Sequence, residues 1–135
     1  IVGFIADQVP MWNNIHLWLD FLHHDTPVFT GTERLARKFD TDVYYLDVRR
    51  ERRGYYVADF VLMAEHASNM PEFELTLEYF RLLEKSIRRQ PAFYLWTHNR
   101  WKRTHEEYNI RYDEETGRVD MGDLEEIKRR KGIAK

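Results

Sequence analysis

Apolar residues fall in short runs separated by charged stretches, and the spacing inside each run predicts its structure. Val2-Gly3-Phe4-Ile5-Ala6 is continuous and apolar, which predicts a buried strand ending at Asp7-Gln8, with Val9-Pro10 turning the chain. From Trp12 to His24 the aromatic and aliphatic residues follow neither the helical nor the strand period, so loop and short helix stay open. Thr30-Gly31-Thr32-Glu33 has the Thr-x-x-Glu spacing of a capping box, and Leu35, Ala36 and Phe39 then share one face of a short helix. Val43 to Val48 and Tyr55 to Leu62, joined through Gly54, predict a strand pair that can form a hairpin.

The longest helix is expected over residues 72–90. Pro71 stands at its start, Phe73, Leu77, Phe80 and Ile87 keep the helical period, and Gln90-Pro91 ends it, because the residue before proline avoids helical angles. Phe93-Tyr94-Leu95-Trp96 reads as a further strand. Beyond it the chain turns polar, with a turn between two short extended pieces around Gly117 and a short helix capped by Asp123 and running to Lys131. Strands alternating with helices predict an α/β fold, a mixed sheet with packed helices. Residues 1–103 are expected to form the main domain and residues 104–135 a charged extension adding little core. The opening on strand-like residues without Met is read as a fragment that starts inside a sheet, whose exposed edges favour homo-oligomers.

Composition narrows the class. With 43% hydrophobic and 33% charged residues the chain is globular rather than disordered, and 15% aromatics supply anchors for a core or groove. Cysteine is absent, which removes disulfides, thiolate nucleophiles and cysteine zinc sites. No run approaches the ~18 apolar residues that span a bilayer. The net charge of −2 hides an uneven spread. Arg81, Lys85, Arg88, Arg89, Arg100, Lys102 and Arg103 face a single acid, Glu84, and Arg49, Arg50, Arg52 and Arg53 form a second basic cluster, whereas acids gather at 106–126. Such basic regions suit phosphate or an acidic partner.

Most catalytic chemistries then drop out. The six histidines lack metal-ligand spacing, so no metal or other cofactor is expected. Glycine-rich nucleotide loops and a G-x-S-x-G elbow are missing, and neither Ser68 nor Ser86 sits in a nucleophile motif. What remains is Pro91 to Lys102, where aromatic anchors alternate with hydrogen-bonding and cationic groups. Two readings stay open: Trp96 and Trp101 fill the core beside solvated cations, or the segment walls an anion site. A non-catalytic anionic-ligand or nucleic-acid-binding module is the alternative function, disfavoured by the near-neutral net charge.

The same segment resembles the closing signature of bacterial lipid A biosynthesis acyltransferases, Glu-x-x-Ile-Arg-x-x-Pro-x-x-x-x-Trp-x-His-x-Arg-Trp/Phe-Lys. Here it runs from Glu84, Ile87, Arg88 and Pro91 through Trp96, His98, Arg100, Trp101 and Lys102, with Asn99 where many members have Arg. Asp7-Gln8, Phe29-Thr30-Gly31 with Leu35-Ala36, and the basic strand end Arg49-Arg50 resemble other family segments in the same order. The resemblance implies a partial acyltransferase-like fold and transfer of a fatty acyl group from an acyl thioester to a hydroxyl of a lipid A precursor or lysolipid. It implies acyl carrier protein or acyl-CoA as donor, a membrane surface as working place, the cytoplasmic face of the bacterial inner membrane as location, and no nucleic acid partner.

The family's catalytic His-x-x-x-x-Asp/Glu pair is missing: five positions beyond His16, His23, His24, His66, His98 and His105 stand Phe21, Val28, Phe29, Pro71, Arg103 and Ile110. No catalytic residue is therefore assigned in this chain, and it is expected to be inactive alone. Substrate-binding roles fall to Asp7, Arg49, Arg50, Arg88, His98, Arg100 and Lys102. For Glu84 an ion pair with Arg88 at the i+4 position competes with any role at the site, and Asp7 is either a turn-former or an orienting group.

Overall fold

The computed structural model describes residues 1–133. Helices and strands are combined as expected for an α/β chain, and the strands pair as three antiparallel hairpins. The chain divides into two compact units, one built from Ile1–Ala6 and Thr30–His98, the other from Asp7–Phe29 and the residues from Asn99 on.

In the first unit, helix α1 (Gly31–Lys38) leads into the hairpin of β3 (Val43–Arg52) and β4 (Tyr55–Ala64), and then to the long helix α2 (Glu74–Arg89). The β3–β4 register pairs Tyr44 with Leu62, Leu46 with Phe60 and Asp47 with Asp59. Gly54 takes the positive φ of 81° that the turn between these strands requires. Because side chains alternate across a strand, Tyr45 and Asp47 face α2 while Tyr44, Leu46 and Phe60 stay exposed. A small core of Ala36, Ala64, Ala67 and Leu75 closes α1 against the start of α2, with Val43, Met63 and Met70 packed around it.

Glu33 does not close a capping box. Thr30 makes no side-chain cap bond, and the Glu33 carboxylate instead reaches the start of α2. There it accepts from Phe73 N at 2.6 Å, Thr76 N at 2.9 Å and Thr76 Oγ1 at 2.6 Å. Helix α2 begins after Phe73, whose φ is 68° and whose side chain caps nothing; Glu74 N bonds to Pro71 O at 3.3 Å, while Phe73 N and Thr76 N take a partner from elsewhere. Glu33, only 4% exposed, supplies that partner from forty residues upstream.

Two expected strands are not formed. Residues 2–6 have no regular structure, and Ile1, Val2, Phe4 and Ile5 are exposed. A strand needs a neighbour for its N–H and C=O groups, and none of the six strands pairs with them among the described residues. Residues 93–96 follow a 3-10 turn over Pro91–Phe93, held by Phe93 N to Gln90 O at 3.1 Å and Tyr94 N to Pro91 O at 3.3 Å. Phe93, Leu95 and Trp96 are each more than half exposed, so Trp96 is not a core residue.

The second unit resolves the ambiguous aromatic stretch. Trp12–Asn14 form a 3-10 turn, and β1 (Leu17–Phe21) folds back on β2 (His24–Val28) through Leu22 and His23, with φ of 54° and 65°. Two consecutive positive φ angles match the right-handed twist of the flanking strands, and His23 N is tied to Asp20 Oδ1 at 3.0 Å. Helix α3 (His105–Arg111), the short hairpin β5 (Tyr112–Asp113) with β6 (Arg118–Val119), and helix α4 (Leu124–Arg130) complete it. Thr104 caps α3, and Asp123 caps α4 by accepting from Glu125 N and Glu126 N. The extension contributes more core than expected. Ile127 and Arg111 are buried, and the Arg111 guanidinium lies 5.1 Å from the buried Trp12 ring and donates to Gly122 O at 2.8 Å.

Candidate functional site

The basic strand end and the C-terminal end of α2 are fastened together in the first unit. Arg89 grips Asp47 with both guanidinium arms, at 2.8 and 2.7 Å, the bidentate geometry that a planar fork favours. Ser86 Oγ lies 2.9 Å from Asp47 Oδ1, and the Tyr45 hydroxyl reaches Ser86 Oγ at 3.0 Å. Hydrogen bonding from Arg89 holds the Asp47 carboxyl below the usual carboxylate range against the opposing effect of burial, and Arg89 in turn keeps its proton more tightly. Gln90 completes the clamp: it accepts from Arg50 N at 3.0 Å and donates to Arg50 O at 2.8 Å, as a neighbouring strand would.

This arrangement presents Arg49 and Arg50 beside the arginines that end α2. Arg49 pairs with Asp59 across the hairpin, and the Arg50 guanidinium sits 5.4 Å from the Phe93 ring centre. Arg88 pairs with Glu84 one turn back, its Nε 2.9 Å from Glu84 Oε1, so the i+4 ion pair is present. Basic residues at the end of α2 also complement the helix dipole. Half-buried cations backed by an aromatic ring, with carboxylates set behind or beside them, can receive a phosphate by exchanging exposed pairs such as Arg49–Asp59 for the ligand.

The remaining signature residues divide between the two units. His98 belongs to the first, half-buried, with its backbone N–H bonded to Leu95 O at 3.1 Å, while Trp96 Nε1 donates to Pro91 O at 2.7 Å. Arg100, Trp101 and Lys102 belong to the second. Arg100 is 1% exposed, donates to the backbone carbonyl of Asp7 and lies 5.2 Å from the Phe21 ring. Trp101 Nε1 donates to Thr26 Oγ1 at 2.9 Å, and Thr26 in turn donates to His24 O at 2.7 Å. Lys102 is exposed. Arg100 and Asp7 are therefore brought together, with Asp7 engaged through its main chain at the turn. Arg49, Arg50 and Arg88 are gathered at the other unit's basic end.

Ser, His and Asp side chains also meet around Asp40, but not as a nucleophile. Ser68 Oγ donates to Asp40 Oδ1 and His66 Nδ1 lies 3.1 Å from Asp40 Oδ2, so the hydroxyl faces the acid and not the imidazole. Among the described residues no three His, Cys, Asp or Glu side chains converge where a metal ion would sit.

The sequence model for bacterial lipid A biosynthesis acyltransferase matches residues 1–103. The chain belongs to that family. The match covers Asp7, the basic strand end and the whole Glu84–Lys102 signature. No curated protein and no solved structure is significantly similar to the chain. No helix among the described residues is long and apolar enough to cross a membrane.

Four residues of the basic end were not assigned to the site from the sequence: Asp47, Ser86, Arg89 and Gln90. Asp47 carried the one usable signal, an acid inside an otherwise apolar strand, which needs a partner when half-buried. The identity of that partner, forty-two residues away, is a tertiary fact.

Proposed function

We propose that this chain supplies the substrate-positioning part of an acyl transfer in lipid A biosynthesis. The acyl group passes from a thioester, carried on acyl carrier protein or coenzyme A, to a hydroxyl of a lipid A precursor or lysolipid. Arg49 and Arg50, with Arg88, bind phosphate of the acceptor or of the donor's pantetheine arm, and Lys102, in the other unit, offers a separate exposed cation for such an anion. Arg100 acts as a positioning residue through the carbonyl of Asp7, and His98 closes a turn on Leu95 O inside the signature. No histidine here is followed at the fifth position by an acid, so the base that deprotonates the acceptor hydroxyl is not among these residues. The parent protein works at the cytoplasmic face of the bacterial inner membrane, where such acceptors lie.

The observation that carries this reading is the family match over residues 1–103 combined with an arginine cluster held on a rigid strand–helix clamp. The deciding experiment expresses the parent open reading frame and assays acyl transfer to a lipid A precursor and to a lysolipid. A His→Ala variant of any His-x-x-x-x-Asp/Glu motif serves as control. Activity in the parent, with none in that variant or in this chain alone, is the expected result. A parent that carries no such motif and transfers nothing refutes the assignment.

A further inference from the structure

The second unit contains a cleft of about 630 Å³, within the size range of small-molecule sites. One wall comes from β1 and the turn before it, the other from α3, the β5–β6 hairpin and Met121, so more than half of it is built by residues beyond the family match. Its walls are aromatic. Trp18 stacks on His105 at 4.4 Å and nearly parallel, Tyr108 meets Trp18 edge-on at 5.9 Å, and Tyr112 stacks on Tyr108 at 5.9 Å. The stack is fixed from behind, since His105 Nδ1 lies 2.8 Å from Asp25 Oδ2. Such rings form a flat, rigid, π-rich surface.

The charged lining of the cleft is cationic. Arg118 and His16 line it, and Arg118 makes no ion pair among the described residues. No Asp or Glu lines it, although acids crowd the surrounding sequence. Those acids are engaged elsewhere: Glu107 with Arg111, Asp120 with Arg130, and Asp113 with the backbone N–H groups of Glu115 and Thr116. The Trp18 indole N–H is shielded from solvent and meets no acceptor among the described residues. A buried donor left unmatched is destabilising, and an acceptor that reached it after a small ring adjustment would recover that loss.

We propose that this cleft binds a nucleoside phosphate, its base lying against the Trp18–Tyr108–Tyr112 wall and its phosphate meeting Arg118 and His16. A stacking surface, a cation without a carboxylate partner and an unmatched donor together select a flat, acceptor-rich anion. Two sources share that chemistry: a free nucleotide, or the adenosine phosphate end of coenzyme A. The second source rests on the acyl-transfer reading and makes coenzyme A the donor in place of a carrier protein.

The test is titration of the full chain, labelled with nitrogen-15, with AMP, coenzyme A and inorganic phosphate, following the indole N–H resonances. Trp18 is assigned by its loss in Trp18→Phe. AMP is expected to move the Trp18 indole resonance, with inorganic phosphate moving it far less. Arg118→Glu, at an exposed hairpin position, is expected to weaken AMP binding about tenfold or more, and Tyr108→Leu to weaken it as well. Tighter binding of coenzyme A than of AMP identifies the donor as occupant, and equal binding identifies a free nucleotide. No Trp18 shift at millimolar AMP overturns the proposal, as does a response to inorganic phosphate equal to that of AMP. An active parent enzyme whose cleft ignores both nucleotides leaves the acyl-transfer reading standing and removes only this site. Nucleotide binding in a parent that transfers no acyl group does the reverse.

Discussion

Removing the Glu33 carboxylate tests whether one buried acid organises the first unit. Glu33→Ala deprives Phe73 N, Thr76 N and Thr76 Oγ1 of their acceptor. The Thr76 hydroxyl can turn toward another acceptor, but the two N–H groups cannot leave the first turn of α2. Each stranded donor costs about 1–3 kcal/mol when buried, and helix-cap losses measured as a whole run to about 1–2 kcal/mol. A loss of about 3 kcal/mol is therefore expected. At a urea slope of roughly 1.5 kcal/mol per molar, the unfolding midpoint falls by about 2 M. Glu33→Gln keeps one carbonyl oxygen for a backbone N–H, and its amide can donate to Thr76 Oγ1, so it should lose only about 1 kcal/mol. The assay is urea unfolding followed by circular dichroism, with Glu114→Ala at an exposed turn as control. A midpoint shift below about 0.5 M in Glu33→Ala would refute the cap. A Glu33→Gln variant as damaged as Glu33→Ala would show that charge, not acceptor geometry, was the essential feature.

The remaining predictions concern the clamp, the signature, the caps and the exposed hairpin. The lowered pKa of Asp47 means that its contribution is complete above the unfolded value of about 3.8 and is lost as pH falls below it through the folded value; an Asp47→Asn chain should lose that part of the acid dependence, and acid titrations superimposing on the parent's would refute it. Arg100→Ala should cost about 2–3 kcal/mol, and Arg100→Lys should not restore it because an ammonium lacks the flat fork that lies near Phe21; denaturation monitored by tryptophan fluorescence decides, and full rescue by Lys would count against the geometry. Asp123→Ala should lower stability by about 1 kcal/mol through the start of α4, with hydrogen exchange at Glu125 and Glu126 rising first; unchanged exchange there would contradict it. The exposed face of Tyr44, Leu46, Phe60 and Leu62 is expected to associate copies of the chain at high concentration, and Phe60→Glu should shift sedimentation toward the monomer; identical profiles for both chains would refute that.

Much of the local structure was legible in the sequence because its causes are local. The β3–β4 hairpin follows from two apolar runs flanking Gly54, the end of α2 from Gln90-Pro91, and the cap of α4 from Asp123 placed just before a helical run. Family membership was legible too, since the Glu84–Lys102 signature is contiguous and specific. Pattern alone failed wherever an outcome needed a partner from afar. Val2 to Ala6 and Phe93 to Trp96 have strand composition, yet a strand forms only where another backbone completes its hydrogen bonds, and none pairs with them. The Thr30-x-x-Glu33 spacing satisfies the rule for a local cap, yet Glu33 gains more at the uncapped start of α2. Arg100 and Arg49 are the same residue type in similarly basic stretches. Only the tertiary structure buries the first against Phe21 and the carbonyl of Asp7, and leaves the second at a surface where an anion can meet it. What could be read without the fold was the β3–β4 hairpin, the end of α2, the cap of α4 and the family. Packing decided which charges serve the fold and which remain for a ligand, because a side chain's role depends on the dielectric and the partners around it, and those come from residues forty to ninety positions away.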